Sequence, residues 1–176
     1  MRRLCGELAA ELTLPAPARP ADLFAALCAG MSRRRGRPVL FRMAAFPPGT
    51  ASGLWLDMAD RDLVVVEERT TPEHQLVILG HELWHMNAGH GSRHGEDTTV
   101  ASRVLGEDRE VADLGTTVQR VATRTHSDRG EEEEAESFGL LLASRCRTWL
   151  TPETHAERDG VAGRIEASLE YRGRRH

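Results

Sequence analysis

Cysteine, net charge and long apolar runs are all scarce in this chain, and each shortage removes a class of function. Cys5, Cys28 and Cys146 are odd in number and far apart among 176 residues. They suit neither a disulfide framework nor a cysteine-built zinc site, and fit reduced, partly buried thiols in a cytosolic protein. No local partner recommends any of them as a nucleophile. No stretch approaches the roughly 20 apolar residues with which a helix crosses a bilayer. Arg2 and Arg3 open the chain, but Glu7 and Glu11 come soon after them, so no secretory signal and no membrane partner are expected, and the expected compartment is the cytoplasm. A net charge of -4 gives no argument for a nucleic-acid platform. The one basic run, Ser32-Arg33-Arg34-Arg35-Gly36-Arg37, is most simply a solvated turn.

With 40% hydrophobic and 28% charged residues, the composition is that of a globular domain. The length suits one domain with a real core and is short for two.

Against this background one pentapeptide stands out, His81-Glu82-Leu83-Trp84-His85. A helix turns once in 3.6 residues, so side chains at i and i+4 stand on one face about 6 Å apart. Two imidazole nitrogens carried there can converge on one ion at roughly 2 Å each. Glu82 comes too soon after the first histidine to be a comfortable third ligand. It is placed instead to take a proton from a zinc-bound water, the general-base role. The flanks support a helix. Thr71-Pro72-Glu73 supplies an N-cap, a proline at the first helical position and an acidic first turn. Asn87-Ala88-Gly89 supplies a stop. Between them the run is apolar nearly all round, which predicts a largely buried helix. Gly80 costs about 1 kcal/mol against alanine there, marking either a close backbone approach or an unconstrained position. His74 lies seven residues before His81 and is expected at the rim of the cleft.

A catalytic zinc usually takes three protein ligands and keeps one position open. A third histidine six residues after His85 is absent, because that position is Gly91, and His90 and His94 are out of phase. The segment from Glu131 to Ser144 begins acidic and turns apolar. Ala135, Phe138 and Leu142 form a stripe with Glu134 at its edge, so Glu134 is the expected third ligand and Glu131 the alternative. Glu132 and Glu136 are expected to point toward solvent. Four consecutive glutamates are otherwise what a solvated helix N-terminus carries.

Taken together, His81-Glu82-Leu83-Trp84-His85 and the later Glu134-Ala135-Glu136-Ser137-Phe138-Gly139-Leu140-Leu141-Leu142 resemble the ImmA/IrrE family of small zinc metallopeptidases. The likeness covers about Leu54 to Ser144, with a fairly specific first motif and a degenerate second. It implies a gluzincin-like site in which His81, His85 and Glu134 bind Zn2+ and Glu82 activates water. It also implies a restricted protein substrate such as a helix-turn-helix repressor or antitoxin. The chain departs from the family pattern at Glu136, where asparagine or aspartate is common, and at Ala143-Ser144-Arg145-Cys146, where a proline commonly comes after the leucines. The alternative function is a metal-binding regulatory or toxin-like protein that acts by association with a DNA-binding partner, without turnover.

The expected fold is α+β, with a zincin-like core. Leu4, Leu8 and Leu12 mark a first helix, and residues 21–29 a second. Next comes a small antiparallel or mixed three-stranded sheet, from Val39–Met43, Gly53–Asp57 and Asp62–Glu67. The Leu63–Val66 strand is the expected edge, to which an extended peptide could add. Residues 95–130 are expected as an insert or lid with one or two weak helices, and residues 153–170 as a C-terminal helix opened by Thr151-Pro152-Glu153. His126, His155 and Tyr171 are candidate oxyanion donors among which spacing does not choose.

Overall fold

The computed structural model describes residues 1–89, 118–122 and 129–150. His90, His94, His126, His155, Tyr171, the C-terminal helix and the expected helices of the insert lie outside these residues. The described chain is α+β, four helices and one mixed sheet.

Helix α1 (Arg2–Ala10) buries Leu4, Cys5, Leu8 and Ala9 on one face. It ends short of Leu12, which packs partly buried against the same core. Helix α2 (Pro20–Arg35) starts with a proline in its first turn, buries Leu23, Phe24, Leu27, Cys28 and Met31, and stops at Gly36, whose φ of 70° is left-handed. It therefore runs six residues past the expected end, through the arginine cluster. Those arginines are not a solvated turn. Arg33 binds Glu11, Arg34 binds Glu7, and Arg35 and Arg37 converge on Asp62. Cations in a last helical turn also complement the helix dipole. Because the sequence has no lysine, every one of these cations is a guanidinium able to bond in a fork.

Strands β1 (Val39–Ala44), β2 (Gly53–Met58), β3 (Asp62–Glu67) and β4 (Val118–Ala122) are ordered β1-β3-β2-β4. β1 is parallel to β3, while β2 is antiparallel to both β3 and β4. Two expectations change. The sheet has a fourth strand, drawn from the segment expected to hold weak helices. The Leu63–Val66 strand is internal, with a neighbour on each side. Burial explains the second change, since Val64, Val65 and Val66 are inaccessible on both faces of the sheet. Alternation sends Trp55, Val64 and Val66 into the main core, with Leu54, Leu56 and Val65 on the opposite face with Phe46.

Helix α3 (Pro72–Ala88) carries the pentapeptide across the sheet. The Thr71 side chain accepts from the His74 amide at 3.4 Å, and Gly89 ends the helix at φ 74°. Helix α4 (Arg129–Cys146) crosses α3 and buries Ala135, Phe138, Gly139, Leu142 and Cys146. The crossing is close because glycines meet there. A Cβ built on Gly80 would lie 2.9 Å from the Gly139 Cα. The Phe138 ring lies against Trp84, with centroids 5.1 Å apart. A single 3-10 turn, Arg147–Trp149, comes after α4. Among the described residues no helix is long and apolar enough to cross a membrane.

Candidate metal centre

Helical spacing brings His81 and His85 together as expected. Both are buried, and their Nε2 atoms are 2.9 Å apart. The acid that meets them is Glu132. Its Oε2 is 3.5 Å from His81 Nε2 and its Oε1 is 3.4 Å from His85 Nε2. The three ligand atoms lie within 4.8 Å of one another. Two atoms each about 2 Å from an ion at a tetrahedral angle stand about 3.3 Å apart, so the carboxylate separations suit simultaneous ligation. This group can hold a metal ion.

Glu134, the acid expected in that position, is exposed on α4 and is not part of the group. Glu131 is half-buried and also stands apart from it. The difference is a matter of helical phase. Gly139 and Cys146 belong to the buried stripe of α4, which runs Ala135, Gly139, Leu142, Cys146 at alternating steps of four and three. Three residues before Ala135 on that stripe stands Glu132. A stripe drawn from Ala135, Phe138 and Leu142 alone leans the other way, toward Glu134. The signal for Glu132 is present in the sequence as a glycine and a cysteine, neither of which stands out as core beside the leucines.

Glu82 points from α3 toward the start of β2 and is buried. It lines a recess of about 190 Å³ with Ser52, His74, Val77, Ile78 and Leu140, among others. His74 thus occupies the rim as its spacing suggests. Glu136 also lines this recess while remaining exposed. The carboxylate of Glu82 and the imidazole of His81 therefore face one space, large enough for a substrate side chain or a few waters.

The thiols offer no competing nucleophile. Cys5, Cys28 and Cys146 are all free and buried. Burial pushes the Cys28 thiol up to about 12, and burial with the neighbouring Cys5 does the same for Cys146. A thiol so raised is not a thiolate at neutral pH.

Compared with protein-family models, curated proteins and solved structures, the chain has no match in any of the three.

Proposed function

We propose that this protein is a zinc-dependent endopeptidase with a zincin-like core, acting on a restricted protein substrate of the kind the ImmA/IrrE resemblance implies, a helix-turn-helix repressor or antitoxin. The observation that carries the reading is a buried carboxylate, Glu82, sharing a recess with His81, which itself belongs to the group of His81, His85 and Glu132 that could hold a metal ion. A site built only to hold a structural ion has no use for an acid so placed.

Two imidazoles and one carboxylate are a donor set that zinc takes in catalytic sites with a position left open. When bound, zinc supplies Lewis acidity toward a carbonyl and lowers the pKa of water. The rest falls to the protein. Glu82 accepts the proton of the attacking water and returns it to the leaving amine. Val77, Ile78 and Leu140 give the recess an apolar lining that receives a substrate side chain and excludes solvent around the carboxylate. Glu132, with His81 and His85, would hold the ion, and in this reading replaces Glu134 as the third ligand.

The test uses the full chain loaded with zinc and a peptide mixture from a whole-proteome digest, with new termini read by mass spectrometry. Native protein should cleave a limited set of bonds. The Glu82→Gln protein should retain its zinc and lose cleavage by about 100-fold or more, the scale of a general base. Equal cleavage by the two proteins would remove the catalytic reading.

A further inference from the structure

The recess beside Glu82 has one wall made of bare backbone. Gly53 opens β2 and pairs with Val66 of β3, and it is buried. A Cβ built on Gly53 would lie 2.5 Å from Glu82 Oε1, 3.1 Å from Glu82 Cγ and 2.6 Å from Ile78 Cγ2. Ordinary carbon contacts begin near 3.5 Å, so the carboxylate of Glu82 stands where a side chain on residue 53 would have to go.

We propose that Gly53 is a positioning residue for Glu82: by having no side chain, it fixes where the carboxylate stands relative to the His81, His85 and Glu132 group. The inference rests on the reading of Glu82 as the base. Three features make it specific to that carboxylate rather than to folding in general. Gly53 is held in register opposite Val66 of β3, and the Glu67 amide donates to the Ser52 carbonyl beside it at 2.8 Å, so the backbone there cannot readily recede. Ile78 is β-branched on a helix and has little rotamer freedom to give. Glu82 is the long, flexible partner, and the recess lined by Ser52, His74 and Leu140 offers its carboxylate somewhere to swing. With the Ile78 contact removed by Ile78→Ala, an alanine at residue 53 therefore moves the base and leaves the metal ligands in place.

The test compares zinc-loaded native and Gly53→Ala proteins by crystallography, zinc titration and kinetics. The peptide used is the one that the native chain cleaves best from the whole-proteome digest. The Glu82 carboxylate should be displaced by about 1 Å with zinc affinity unchanged. A misplacement of that size costs up to about 100-fold in rate, so kcat should fall by roughly 10- to 100-fold while KM holds. In a Glu82→Gln/Ile78→Ala background the same change should cost nothing further, since the remaining contact is with that side chain. If Gly53→Ala does not fold, Gly53→Ala/Ile78→Ala removes the contact with isoleucine and keeps the one with Glu82, with Ile78→Ala as its reference. A carboxylate that stays in place, or losses from Gly53→Ala and Glu82→Gln that multiply in the Ile78→Ala background, overturns the proposal. A native chain that cleaves no peptide defeats the peptidase reading instead, and the crystallographic comparison still decides where Gly53 puts the carboxylate.

Discussion

A half-buried carboxylate facing two buried imidazoles has few neutral explanations, because both imidazoles have left water and the carboxylate has left most of it. Glu132 meets both His81 and His85 within 3.5 Å. Removing it should deprive a bound ion of its only anionic ligand among the described residues. Glu132→Ala is therefore expected to weaken zinc binding by more than the roughly 100-fold that loss of an outer partner can cost. Glu134→Ala, on an exposed position, should leave affinity unchanged. Competition against a chromophoric chelator reads both, and the reverse ranking would return the ligand role to Glu134. His81, Glu82 and His85 are legible in sequence because five residues of one helix fix their own geometry. The third ligand is legible only to within one turn. Its choice depends on which side of α4 is buried, and that is decided by Gly139 lying against α3, a contact between segments that sequence periodicity does not see.

Between elements, the metal centre depends on how closely α4 approaches α3. A Cβ built on Gly139 would lie 2.5 Å from the Val77 carbonyl oxygen and 3.3 Å from the His81 amide nitrogen. Both are backbone atoms within a helix, so no side chain can turn aside and the helices themselves must part. Gly139→Ala should destabilise the metal-free protein by about 1–3 kcal/mol, the usual range for overpacking, read as a fall in the urea midpoint. It should also weaken zinc binding, because α4 carries Glu132 and α3 carries both histidines. Unchanged stability together with unchanged affinity would mean that the two helices slide freely past the added methyl. The single glycine inside an otherwise apolar helix, Gly80, already hints at a close approach. Its partner does not, since Gly139 lies on a second helix whose packing direction only the folded chain supplies. The sheet is legible to the same degree. Alternation and turns mark three strands, but their order depends on the parallel pairing of β1 with β3, a long-range choice that leaves the expected edge strand in the interior.

For the molecule as a whole, the carboxylates that tie elements together set its response to acid. Asp62 is fully buried and accepts hydrogen bonds from Arg35, Arg37 and the Trp55 indole, so it joins the end of α2, the approach to β1, and strands β2 and β3. Burial pushes its carboxyl up, and the bonds from Arg37, Arg35 and Trp55 together outweigh that, leaving it below the ordinary aspartate value. Glu67 accepts from the Arg69 guanidinium and from the Arg69 and Phe46 amides, which hold its carboxyl at about 2. Both folded-state values are depressed. The stability they contribute is thus fully present above the ordinary carboxylate range and is lost as pH falls through it toward the folded values. With chelator present, so that metal release plays no part, Tm should be flat with respect to these two groups above about pH 5 and decline below it toward about pH 2. Asp62→Asn keeps the shape and removes the charge that two guanidiniums share. Breaking a buried pair from one side costs about 3–5 kcal/mol, and because Arg35 and Arg37 keep about a quarter of their side-chain surface exposed, the lower end is expected. The variant should also show a shallower acid slope than the native chain. Parallel Tm–pH curves, merely offset from one another, would mean that Asp62 titrates at an ordinary pKa and that the arginine cluster is held by shape alone.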